Sequence, residues 1–90
     1  MDVIIQVRRE IAPDLRGRVA KSPAADEILR AARDLGVTLE PLHPGATDPH
    51  LIGYFVVLAA DFAAAEHIAE RLRRCQAVEA AYVKPPDEMP

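Results

Sequence analysis

The sequence predicts an α+β domain in which two helices cover one face of a four-stranded antiparallel sheet. Three observations lead there: a length of 90 residues that suits one core, four short runs rich in β-branched and aromatic residues, and two stretches of helical period bracketed by cap residues. Half the residues are apolar and 28% are charged, a composition that folds. A chain this short buries a modest share of its surface, so a partner that covers apolar area matters to its stability.

Val3, Ile5 and Val7 alternate with Ile4, Gln6 and Arg8, the period-2 pattern of a strand over about 2 to 10. Pro13, Gly17 and a polar mix then mark a loop. Ser22 before Pro23 is an N-cap followed by proline at the first helical position, and Ala25, Ile28, Leu29, Ala32 and Leu35 recur at helical spacing. The first helix therefore spans about 23 to 35, with Gly36 as its stop. Val37 to Leu42 is a short second strand, closed by the proline- and glycine-rich segment from Pro44 to Pro49. Leu51 to Ala59 is a third strand. Asp61 caps a second helix over about 62 to 75 with Ala65, Ile68, Leu72 and Cys75 as its apolar stripe. Val78 to Val83 is the fourth strand, and prolines hold Lys84-Pro85-Pro86-Asp87-Glu88-Met89-Pro90 as an extended tail. The expected division is a domain over 1–83 and a tail over 84–90.

The order β-α-β-β-α-β is that of the ferredoxin-like split βαβ arrangement. Right-handed crossovers put both helices on one face and leave the other open. On the third strand Leu51, Gly53, Phe55 and Val57 point one way and Ile52, Tyr54, Val56 and Leu58 the other, and neither set is charged. A strand with one wet face alternates apolar with polar, so this pattern, with Ile4 on the neighbouring strand, predicts an apolar patch on the open face. The bland alternative is a small patch covered by the stems of Gln6, Arg8 and Glu79.

Several function classes lose support. A net charge of −3 argues against a nucleic-acid binder, and Arg71, Arg73 and Arg74 interleave with Glu66 and Glu70 as on a solvated helix face. The apolar run from Tyr54 to Ala60 is far short of a membrane span. Met1-Asp2 leads straight into Val3-Ile4-Ile5 without a basic region and an apolar core, so the expectation is a cytoplasmic chain. Ser22, the single serine, is a helix cap, and Cys75 lies on an apolar stripe, so no activated nucleophile is in view. His43 and His50 flank one loop but lack a third ligand, and the four glycines are isolated. The sequence implies no metal, no cofactor and no enzyme.

The segment Tyr54-Phe55-Val56-Val57-Leu58, then Ala69 through Val78-Glu79, then Ala81-Tyr82-Val83, resembles the second half of the inhibitory propeptides of subtilisin-like serine proteases. The likeness covers residues 50 to 90, and the first half adds element order. It implies a ferredoxin-like domain whose open sheet face packs on the protease while its tail lies in the active-site cleft, inhibiting the protease and assisting its folding, in cis or in trans. The contact residues so implied are Ile52, Tyr54, Val56, Tyr82 and Val83, with Lys84, Pro85, Pro86, Asp87, Glu88, Met89 and Pro90 of the tail. The family's acidic residues after the aromatic-valine step are replaced here by Lys84-Pro85-Pro86, and Asp87 and Glu88 follow later.

Two other readings stay open. A regulatory small-molecule-binding module of the same fold, forming a homodimer through its sheet, would use the glycine-bearing segment Arg16-Gly17-Arg18. A metal or redox enzyme would use His43, His50 and Cys75.

Overall fold

The computed structural model describes residues 1–17, 21–45 and 47–84. In chain order the elements are β1 (Asp2–Val7), a 3-10 turn (Arg9–Ile11), α1 (Ala12–Arg16), α2 (Pro23–Leu35), β2 (Glu40–Pro41), β3 (Tyr54–Leu58), α3 (Phe62–Arg73) and β4 (Val78–Lys84). The architecture is α+β: one four-stranded antiparallel sheet of order β2-β3-β1-β4, with three α-helices where the sequence indicated two. Side chains from all three helices join Val3, Ile5, Val7, Phe55, Val57 and Ala81 in a single buried cluster.

Local chemistry sets the two long helices. Ser22 sits in extended backbone and its Oγ accepts from the Ala25 N–H at 3.2 Å, while Pro23 occupies the first turn. At the far end Gly36 adopts φ 72°, and the Val37 N–H returns to the Ala32 carbonyl at 2.9 Å, closing the carbonyls a helix otherwise leaves open. Asp61 Oδ1 accepts from the Ala64 N–H at 2.8 Å and starts α3 in the same way. The buried stripes are Ala25, Ile28, Ala31 and Ala32 on α2 and Ala65, Ile68, Ala69 and Leu72 on α3.

Five stretches differ from the sequence expectation. Residues 9–16 are helical rather than a loop, because Ile11, Ala12 and Leu15 have a core to enter and Pro13 falls in a first turn, where its missing N–H costs nothing. The first strand ends at Val7 instead of near residue 10. The second strand shrinks to two residues: Leu39 turns into the core and Pro41 has no N–H to donate, although the Leu42 N–H still reaches the Tyr54 carbonyl at 3.0 Å. The third strand starts at Tyr54, since 48–53 form turns in which the Leu51 and Ile52 N–H groups both return to the Asp48 carbonyl. At the C-terminal edge β4 runs one residue further than expected and takes in Lys84.

Gly53 lies where β1 meets the start of β3. The Val7 N–H donates to the Gly53 carbonyl at 2.9 Å, and a Cβ on Gly53 would stand 2.7 Å from the Val7 carbonyl oxygen. The oxygen belongs to backbone and the Cβ is fixed by it, so neither has a rotamer to escape into. Gly53→Ala is expected to lose about 2–4 kcal/mol through forced displacement of the ladder. A urea titration that finds less than about 1 kcal/mol would show that the strands slide apart cheaply.

Candidate functional site

The register decides which side chains share the face turned away from the helices. Ile4 stands opposite Val56 on one side and Tyr82 on the other; Gln6 opposite Tyr54 and Ala80; Asp2 opposite Leu58 and Lys84. Directly paired residues lie on the same side of a sheet. The open face therefore carries a wholly apolar column on β3, Tyr54-Val56-Leu58, crossed by an apolar row, Val56-Ile4-Tyr82. Leu58 is 75% exposed and Tyr82 52%, whereas Ile4 is only 3% exposed although it stands outside the helix-side cluster. Ile4 is thus buried by its open-face neighbours, and the apolar area offered to solvent comes from the β3 column and Tyr82.

Of the residues singled out from sequence, Tyr54, Val56 and Tyr82 come together on this face. Ile52 and Val83 do not join them. Ile52 lies in the turn before β3, half-buried against the helix-side cluster, and Val83 is paired with Val3 and packs against that same cluster. Adjacent strand residues point to opposite faces, so Tyr82 and Val83 are separated by the pleat itself. A register shift between Gln6 and Val7 leaves Glu79 as the extra residue of a bulge, so that Val78 and Ala81 both turn inward. Lys84 ends β4 on the open face beside Asp2. Pro85, Pro86, Asp87, Glu88, Met89 and Pro90 lie outside the described residues. Leu58 takes the place that alternation along the third strand gives it, whereas the neighbouring groove residues Asp2, Glu40 and Leu42 are brought in by pairing across three strands, which alternation along one strand does not assemble.

Two loop features hold the face in place. The Tyr54 ring meets the His43 ring edge-on, with centroids 6.3 Å apart and planes at 85°. Arg16 donates from Nη2 to the His43 carbonyl at 3.0 Å, from Nη1 to the Pro44 carbonyl at 3.3 Å, and from Nε to the Ile52 carbonyl at 3.3 Å. One guanidinium therefore ties both ends of the 42–53 loop to α1. Arg16→Ala is expected to cost about 1–3 kcal/mol, the worth of charge-assisted bonds to carbonyls left without a donor. Limited proteolysis checks it: cleavage within 42–53 should quicken at least severalfold, and an unchanged pattern would contradict the clamp.

Several other polar groups have structural partners, whereas the buried Arg8 Nε has no hydrogen-bond partner among the described residues. Arg73 Nη2 donates to the Ala81 carbonyl of the edge strand at 2.9 Å, Arg74 forms an exposed pair with Glu70 at 3.1 Å, and Glu27 Oε1 accepts from the Gln76 N–H at 2.9 Å. His50 donates its own N–H to Asp48 Oδ1, an Asx turn. Among the described residues no group of three or more His, Cys, Asp and Glu is placed to hold a metal ion, and no helix is long and apolar enough to cross a membrane.

Cys75 is buried, and loss of hydration, aided by the nearby Glu27 carboxylate, pushes its thiol above the usual value, with Arg71 opposing. A raised folded-state pKa means that the native protein holds this proton more tightly than the unfolded chain. The contribution to stability is full below the unfolded thiol pKa and is lost as pH rises through the folded one. Native Cys75 should therefore react with maleimide at pH 8 far more slowly than in denaturant, and equal rates would contradict its burial.

Comparison with protein-family models, with curated proteins and with solved structures returned no match. The open face therefore has to be interpreted from its own chemistry.

Proposed function

We propose that the chain is a propeptide-like inhibitor and folding assistant of a subtilisin-like serine protease, built on a ferredoxin-like fold and acting by binding alone. The observation that carries this reading is the open sheet face: an apolar column and row on which Leu58 and Tyr82 are left exposed. Such a surface on a small domain gains by being covered. The strand order supports the ferredoxin-like assignment, since β1 and β3 are central and each βαβ half crosses over one helix-covered face. The resemblance of residues 50 to 90 to subtilisin-type propeptides supplies the class of partner. In this reading β4 delivers the chain at Lys84 toward the tail, which adds to the cleft as an extended strand. The binding role extends to a protease encoded in cis or met in trans.

The test is to titrate the full chain against a panel of subtilisin-like proteases and to refold a denatured protease domain in its presence. Slow, tight inhibition and a higher yield of active protease are expected, with inhibition lost when residues 85–90 are removed. Inhibition that survives the deletion would eliminate the tail-in-cleft mechanism, and no inhibition across the panel would eliminate the protease reading.

The alternative of a ligand-regulated module gains nothing from Arg16, whose guanidinium is engaged by three loop carbonyls. Gly17, at φ −84°, needs no glycine-specific backbone.

A further inference from the structure

The sheet has two edges of unequal character. β2 is two residues long and contains Pro41, so it offers little backbone to another strand. β4, at the other edge, runs for seven residues, and its stretch Ala80-Ala81-Tyr82-Val83 is uncharged.

Hydrogen bonds on either side of β1 fix which groups of β4 look outward. The Val7 N–H donates to the Gly53 carbonyl and the Met1 carbonyl accepts from the Ala59 N–H, whereas the Arg8 N–H donates to the Ala77 carbonyl on the other side. Backbone groups alternate in direction along a strand, so Val3, Ile5 and Val7 bond toward β3 while Ile4 and Gln6 bond toward β4. Ala81 is paired with Ile5 and Val83 with Val3, and both therefore turn their N–H and C=O groups to the free edge. One of these groups is already engaged: Arg73 Nη2 donates to the Ala81 carbonyl at 2.9 Å. The guanidinium thereby stands in the lane, about 4.8 Å from β4, that the backbone of a further strand would occupy.

Such an edge is complementary to itself. Two copies of β4 related by a two-fold axis at Tyr82 would exchange N–H and C=O bonds between Ala81 of one and Val83 of the other, joining two sheets into one. Half of those bonds need the Ala81 carbonyl that Arg73 holds.

We propose that the β4 edge is a pairing surface for a second copy of this chain and that Arg73 keeps it closed, holding the protein monomeric. The proposal stands on ladder geometry and does not depend on what the open face binds.

Two substitutions at one position test it. Arg73→Met keeps a helix-forming, unbranched side chain and removes the donor, and Arg73→Lys keeps a cationic donor there. Sedimentation equilibrium should show self-association at least about tenfold tighter for Arg73→Met than for the parent chain or Arg73→Lys. In the same samples, hydrogen exchange at the Ala81 and Val83 amides should slow with rising concentration in Arg73→Met alone, because pairing gives these outward N–H groups an acceptor. Equal association constants for Arg73→Met and the parent would overturn the proposal, as would a dimer in which both amides exchange as fast as in dilute solution. A capped peptide of scrambled β4 sequence, added in excess to dilute Arg73→Met, should leave both amides unprotected. Protection equal to that given by a second copy would make the edge a general strand acceptor and overturn the assignment to self-pairing.

Discussion

Replacing Phe55 with alanine should cost about 3–5 kcal/mol, enough to leave a domain of this size largely unfolded at 37 °C. Phe55 is the largest of the fully buried side chains, set in the strand that pairs with both β1 and β2 and turned toward the helices. Its loss removes a ring's worth of burial and opens a cavity beside Ile5, its cross-strand partner, which has no room to collapse under a sheet held by ladder bonds. Urea or thermal unfolding monitored by far-UV circular dichroism checks this. A loss below about 1.5 kcal/mol would mean that the core repacks readily. Phe55→Leu, which keeps most of the volume, should recover at least half of the loss.

The second large effect concerns binding rather than folding. The double variant Leu58→Asp, Tyr82→Asp places charge on two exposed positions of the open face. Neither side chain belongs to the helix-side cluster, but Tyr82 helps to cover Ile4 and Leu58 stands opposite Asp2, so a loss of about 1–3 kcal/mol is expected, and binding is measured at a temperature where both chains are folded. On the proposed reading, inhibition of a susceptible subtilisin-like protease should weaken by at least about 100-fold, because charged groups would be carried into an interface that the apolar side chains are proposed to fill. Retained inhibition in this variant would remove the open face from the binding mechanism and leave the tail as the sole contact. A control at the opposite surface, Arg30→Ala, breaks only an exposed pair with Asp26 and should leave both properties unchanged.

The long helices were legible because their signals are local. Ser22-Pro23 and Gly36 set α2 at Pro23–Leu35, the span that cap chemistry and apolar spacing indicate, and Asp61 starts α3 at the expected residue. The core face of β1 and β3 was legible for a similar reason, since alternation at Val3, Ile5, Val7, Phe55 and Val57 needs no knowledge of the partner strand. The same alternation led to Tyr54 and Val56 on the open face. It could not place Ile52, because a turn stabilised by Asp48 intervenes before the strand begins. Nor could it separate the roles of Tyr82 and Val83, which depend on how β4 is paired with β1 and on the bulge at Glu79.

The sequence by itself determined the order of the four strands and the two long helices, the bounds of α2, the start of α3 and the absence of charge from both faces of the third strand. Caps and periodicity act over a few residues, and the chain carries them wherever it goes. Only the tertiary structure decided that 9–16 would coil into helix, that the second strand would shrink to Glu40–Pro41, that Ile4 would be covered by its neighbours while Leu58 and Tyr82 stayed exposed, and that Asp2 and Glu40 would border one groove. Each of these depends on which distant residues become neighbours, through a core for Leu15 to enter and a ladder register that aligns three strands. Such contacts are set by closure of the whole chain, where local preference is silent.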